Sequence, residues 1–274
     1  MIGICTDSNS QLPASLAQRY CIEVVPLTVT VDDVDYLEGV DLHADGFYEK
    51  YANGACPVVS TSQPSPGQFA VAYEELAARG CTEILSIHVT SSVSGTINAA
   101  RLAAHSVPMP VRLVDSGTAS FGVSCSVWAA AAAIADGASL DGAALIAEQL
   151  APTIGNVFAV GAFDQLRRSG RMGDLPGGDG VQVMSLRDGK LEMVQNSATM
   201  LDAVNAMASY TIAWGDRLRI AIGHSDAVSA PVADALEEAL SEAAGALDVV
   251  RYRIGPSIGA HTGPGTVGCF MFPG

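Results

Sequence analysis

Apolar and polar positions follow two different periods along this chain. In its first half, short apolar runs cover Ile2 to Thr6, Ile22 to Thr30, Ile84 to Val89 and Val111 to Asp115. Each run is followed by small polar residues and then by helical spacing. In "GQFAVAYEELAARG", Phe69, Ala72, Tyr73 and Leu76 fall on one helical face, and Gly80 supplies a C-terminal cap. Strands alternating with helices predict a parallel, doubly wound sheet with helices on both faces, an α/β/α arrangement. The helix-rich stretch "VWAAAAAIADGASLDGAALIAEQLAP" then leads into a second unit.

Around residue 155 the pattern changes. "NVFAVGA", "VQVMSL", "LEMVQN", "LRIAIGHS" and "LDVVRYRIG" read as strands, and "DGK" at Asp188 to Lys190 reads as a hairpin turn. Helical spacing covers Met200 to Trp214 and Val228 to Ala244, with Thr199 and Asp202 forming an acidic version of the capping box. The expectation is two domains. Residues 1–154 form the parallel α/β domain, and residues 155–274 form a two-layer α+β domain with a mixed sheet.

Composition narrows the function classes. The chain has 274 residues, 49% hydrophobic and 16% charged, so it can bury a sizeable core. The longest apolar run, Val127 to Ala135, is too short to span a bilayer. The start "MIGICTDSNS" lacks the basic and apolar regions of a signal peptide, and a cytoplasmic location is expected. The net charge of −15 argues against nucleic acid as a partner. It leaves only transient contact with a membrane open. The six cysteines form no C-x-x-C pair, which fits reduced thiols and argues against a zinc site. No phosphate-cradling G-x-x-x-x-G-K-[ST] and no G-x-G-x-x-G after the first strand is present, so no nucleotide cofactor is expected.

Three hydroxyl-rich stretches carry candidate chemistry: "TDSNS" at Thr6 to Ser10, "STSQPSPGQF" at Ser60 to Phe69, and "TSSVSGTINAA" at Thr90 to Ala100. Ligands of open α/β sheets bind beyond the carboxyl ends of strands, and helix N-termini there attract anions. Neutral donors in such places suit a carboxylate or a phosphate. Near the C-terminus, "IGPSIGAHTGPGTVGCF" reads as a glycine-rich loop shaped around His261, whose imidazole can donate to an acid group near neutral pH. The same stretch contains "GPSIG", a G-x-S-x-G match centred on Ser257. A serine-hydrolase elbow needs a helix after the serine, and the glycine, proline and threonine that follow read as loop. His88 and His224 read as structural residues at strand ends, and His43 and His105 as surface residues.

The strings "TSQPSPGQF", "IHVTSSVSGT", "VDSGTASFG", "LRRSGRM" and "IGPSIGAHTGPGTVG" resemble the DegV family, in its order and spacing, from the first strand to the last loop. That family includes the FakB fatty-acid-binding proteins of bacterial fatty acid kinase. The opening "TDSNSQLP" is similar to the family's D-S-x-x-D-L-P. The resemblance implies two α/β domains with a long-chain fatty acid buried between them. It implies a partner, a separate ATP-binding kinase subunit that phosphorylates the carboxylate for phospholipid synthesis. On this view the chain is not a catalyst by itself. The carboxylate network maps to Thr61, Ser94 and His261, with Ser62, Gly95, Thr96 and Thr262 beside them. Arg167, Arg168 and Arg171 map to a loop implicated in docking the kinase.

The physics of a lipid agrees. A tail of about 16 carbons, at roughly 0.8 kcal/mol per buried CH2, contributes about 10 kcal/mol before ordering costs. Such a ligand survives purification. Phe121, Phe158, Phe163, Leu166 and Phe270 are candidate tunnel residues, with plain core as the alternative. The sequence also departs from the family. Ser169 stands where the family has a glycine, Asn98 lies near its Tyr-Gln, and a short glycine-rich run with Gly173 to Gly180 replaces a longer helical stretch. A shortened wall changes chain preference or closes the tunnel. The alternatives are therefore a binding protein for a small carboxylate or phosphate metabolite, and a serine hydrolase using Ser257.

Overall fold

A computed structural model describes residues 1–161, 180–187, 190–241 and 246–274. The chain forms two compact units, Met1–Asp41 with Val58–Pro152, and Leu42–Pro57 with Thr153–Gly274. A cut at 154 leaves Leu42–Pro57 with the first unit, whereas here that segment counts with the second. The reason lies in packing. Gly259 has no Cβ, and Phe47 and Tyr48 occupy the space that one would take.

In the first unit the strands are β1 (Ile2–Asp7), β2 (Glu23–Val25), β3 (Thr28–Val31), β4 (Val34–Leu37), β5 (Val59–Ser62), β6 (Glu83–His88) and β7 (Val111–Asp115). They form a parallel sheet in the order β2-β1-β6-β7 and an antiparallel sheet in the order β4-β3-β5. The helices are α1 (Ala14–Arg19), α3 (Pro66–Ala78), α4 (Thr96–Ala104), α5 (Phe121–Ala135) and α6 (Leu140–Leu150), with α2 (Ala44–Glu49) in the second unit. Neighbouring strand residues point to opposite faces of the sheet. Ile4, Leu85 and Ile87 therefore pack with Val123, Val127 and Ala143, while Cys5 and Ile84 pack with Phe69, Leu76 and Ala99. Both faces are covered, as the near-continuous apolar runs require. The alanines explain the first of these layers: Ala130, Ala131, Ala143, Ala144 and Ala147 are buried, and their small side chains let α5 and α6 approach closely.

The run Ile22 to Thr30 is not one strand. Pro26 has no N–H to give to a ladder, and the Leu27 N–H is donated to Ser8 Oγ at 2.9 Å. The chain therefore leaves the parallel sheet after Val25 and re-enters strand in the other sheet at Thr28.

The second unit holds β8 (Gly155–Ala159), β9 (Val181–Arg187), β10 (Lys190–Ser197), β11 (Leu218–His224), β12 (Ala246–Arg253) and β13 (Val267–Pro273). Their order is β10-β9-β8-β13-β11-β12, antiparallel except for β11 with β12, so the sheet is mixed as expected. Arg187 pairs with Lys190, which places the expected hairpin, although Asp188 and Gly189 lie outside the described residues. The helices α7 (Met200–Ala213) and α8 (Ala230–Ser241) cover one face through Val204, Met207, Leu236 and Leu240. Thr199 and Asp202 form both halves of the capping box. The last helix, α9 (Pro256–Thr262), lies where the sequence reads as loop.

Candidate functional site

The hydroxyl-rich stretches differ once folded. In "TDSNS" the side chains serve the fold: Ser8, Asn9 and Ser10 are buried. Ser8 Oγ donates to Glu38 Oε2 at 2.5 Å, and the Asn9 side-chain oxygen accepts the Ser120 N–H at 3.0 Å. The second stretch begins on β5, an edge strand of the antiparallel sheet, and not beyond the parallel strands as the sequence suggested. Thr61 pairs with Val29 there. Strand alternation leaves Thr61 half-buried and Ser62 exposed, on opposite faces. Ser65 then caps α3 with a complete capping box, and Pro66 takes the first helical position.

The third stretch leaves β6 and enters α4. Ser94 is half-buried, and its Oγ lies 2.8 Å from Thr96 Oγ1 and accepts the Thr96 N–H at 3.3 Å. Thr96 is fully buried, so it props Ser94 from beneath. Gly95 brings the second and third stretches together, because a methyl group there would overlap the Gln63 carboxamide. Asp115, at the end of β7, accepts the N–H groups of Ser91 and Gly117 at 3.0 Å each. Burial alone would raise its pKa. Hydrogen bonds from Ser91, Gly117 and Thr90 outweigh burial and hold the carboxyl below its ordinary value.

Beneath these loops runs a buried polar chain that sequence reasoning missed. Asp7 and His88 have fully buried side chains, with His88 Nδ1 2.9 Å from Asp7 Oδ2. Asp7 also accepts the Val89 and Asn9 N–H groups at 3.1 Å each. On its other side, His88 Nε2 lies 2.6 Å from Ser86 Oγ, which lies 2.9 Å from the Tyr73 hydroxyl. A serine, a histidine and an aspartate in this arrangement have the connectivity of a hydrolase triad. Ser86 and His88 are fully buried, so the array anchors the ends of β1 and β6. His88 as a structural residue fits its position at a strand end, but its partner is 81 residues away and no spacing reveals it.

In the second unit, His261 sits in the last turn of α9 and is half-buried. The expectation of a loop is corrected here. Pro256 starts the helix, where its missing N–H is harmless, and Gly263 ends it at φ 71° and ψ −177°. Ser257 is therefore the second residue of a helix that follows a strand, contrary to the sequence reading. It is 1% exposed. Thr262 donates to the Ile258 carbonyl at 3.3 Å. The following loop is tied down by Ser225 and Asp226: Thr266 N donates to Ser225 Oγ at 2.9 Å and Gly265 N to Asp226 Oδ2 at 3.2 Å. His224 is half-buried, and its pKa is pushed down by that burial and then by the Arg253 and Arg251 guanidiniums. His43 and His105 are exposed.

Phe121 is fully buried, while Phe158 and Phe270 are half-buried. Arg167, Arg168, Arg171, Phe163, Leu166 and residues 173–179 lie outside the described residues. Cys5, Cys81, Cys125 and Cys269 are buried, Cys21 and Cys56 are exposed, and none of the six is in a disulfide. Burial pushes the Cys5 thiol well above its ordinary pKa and that of Cys269 up to about 12. Among the described residues, no helix is long and apolar enough to cross a membrane.

The DegV family model matches residues 1–274. The chain belongs to the DegV family. A DegV domain-containing protein of Streptomyces coelicolor is 33% identical over 277 residues, covering 97% of this chain and 96% of its own. Among solved structures, a fatty-acid-binding DegV family protein from Thermus thermophilus superposes with a TM-score of 0.87 at 30% identity, covering 99% of each chain. A stearic acid-binding protein from Eubacterium ventriosum also gives 0.87, at 21% identity over 100% of this chain and 98% of that one, a likeness of fold. The DegV assignment agrees with the parallel four-stranded sheet and the separate mixed sheet.

Proposed function

We propose that this DegV protein binds a long-chain fatty acid between its two domains, with the carboxylate held by Thr61, Ser94 and His261. It presents that carboxylate to a separate ATP-binding kinase subunit, which makes the acyl phosphate. Arg167, Arg168 and Arg171 dock that subunit, and the chain itself is a carrier in the cytoplasm. The observation that carries this reading is the fatty acid binding of the Thermus relative, which shares 30% identity over 99% of both chains. Local geometry supports it. The Ser94 hydroxyl is half-buried and supported by Thr96, and Gly95 brings its loop against the loop that follows Thr61. Ser62, Gly95, Thr96 and Thr262 complete the surroundings, with Thr96 and Thr262 as supports.

The test is mass spectrometry on an organic extract of the purified, denatured protein. One fatty acid per chain is expected, and its loss in Thr61→Ala/Ser94→Ala at an unchanged urea midpoint. A folded double variant that still copurifies with lipid overturns the assignment of these hydroxyls. A lipid-free wild-type protein redirects the site to a small carboxylate or phosphate metabolite.

A further inference from the structure

The segment 42–57 interrupts the first unit just before the strand that carries Thr61. Both of its ends are pinned there. At the entry, Asp41 Oδ2 accepts the Leu37 N–H at 3.1 Å, and the Asp41 N–H returns to the Leu37 carbonyl at 2.9 Å. At the exit, Val58 N donates to Asp32 Oδ1 and Asp32 N to the Val58 carbonyl, both at 2.9 Å. The middle of the segment is fastened to α9, the helix of His261. A Cβ at Gly259 would lie 2.5 Å from the Tyr48 hydroxyl oxygen and 2.7 Å from Phe47 Cε1. Phe47 is fully buried and meets Tyr48 and Tyr51 edge-on, at ring distances of 5.0 and 5.5 Å. Arg253, two residues before Gly255, bridges Asp45 Oδ1 at 2.7 Å and the Ser225 carbonyl at 2.9 Å.

We propose that residues 42–57 are a strap that positions His261, seating Phe47 and Tyr48 in the notch at Gly259 and locking Asp45 onto Arg253. Gly259 and His261 lie two positions apart on a helix of seven residues, so a shift at the notch moves the imidazole with the last turn. Close packing leaves no slack to absorb it. The inference rests on the fatty-acid reading of His261, and it adds Tyr48, Asp45 and Gly259 as positioning residues.

The experiment combines palmitate titration of delipidated protein with NMR of the His261 imidazole, for Gly259→Ala, Tyr48→Ala and the milder, surface-side Asp45→Asn. The first two variants are expected to weaken palmitate roughly tenfold and the third a few-fold. Each shifts the His261 ring resonances. Neither large effect persists in a His261→Ala background, and both persist in Thr61→Ala. Losses that add fully to His261→Ala, or ring resonances that stay in place, overturn the strap. If wild-type protein binds no palmitate, the fatty-acid reading fails alone, because the His261 resonances of ligand-free protein still decide whether the strap positions the ring.

Discussion

Asp7 faces three nitrogens at one end of the buried chain: His88 Nδ1 and the Val89 and Asn9 N–H groups. In a neutral imidazole with Nδ1–H facing Asp7, Nε2 accepts from Ser86, and the Ser86 hydroxyl accepts from Tyr73, whose hydroxyl also lies 3.5 Å from the Ala100 carbonyl. The members are unequal in consequence. Removing His88 strands a buried carboxylate beside an unpaired serine, whereas removing the Tyr73 hydroxyl strands one neutral acceptor. His88→Ala should therefore lower stability by about 3–5 kcal/mol. Tyr73→Phe should lower it by about 1 kcal/mol. Urea unfolding of both variants checks this, and equal losses would refute the larger role of the His88–Asp7 contact. Fluorophosphonate should leave the sealed Ser86 unlabelled in the native protein.

Elements carried by periodic burial were legible in the sequence to within a few residues, as with the helix of Phe69, Ala72, Tyr73 and Leu76. The β4-β3-β5 sheet was not, because its strands are short and partly polar, and Val34 to Leu37 are mostly on the surface side. The α9 helix was hidden by its own glycines. Gly259 serves a contact that no spacing shows, since it receives Phe47 and Tyr48. The candidate site was legible as motifs, Thr96 included, while the backbone contacts made by Asp115 and Asp226 emerged only in three dimensions. Gly263 offers a sharp test at this scale. Its φ of 71° with ψ of −177° is a region almost confined to glycine. Gly263→Ala should cost about 2 kcal/mol and loosen the turn that ends at His261. A urea midpoint equal to wild type would show that the turn relaxes without strain.

The molecule as a whole responds to pH and to charge. Burial and then two arginines push the His224 pKa down, while the unfolded chain protonates at about 6.5. The unfolded state thus takes up protons first as pH falls, and stability should begin to drop below that value. Asp115 acts later: its contribution is complete above an unfolded value of about 3.9 and disappears as pH falls through its lower folded value. Urea midpoints against pH should show the first stage vanish in His224→Gln; its persistence would move the effect to another group. Near neutral pH the net charge of −15 dominates encounters with other surfaces. At about 0.1 M salt, repulsion from an anionic bilayer reaches only about 10 Å, and at about 0.01 M about 30 Å. A carrier that had to collide with the bilayer would deliver its fatty acid faster as salt rises or vesicles become more concentrated. A carrier that releases fatty acid into water first would not. Like charge favours the second route, so stopped-flow transfer of a fluorescent fatty acid to phosphatidylglycerol vesicles should proceed at a rate independent of vesicle concentration. A rate rising in proportion to vesicle concentration would mean that a local surface overcomes the net charge and docks on the membrane.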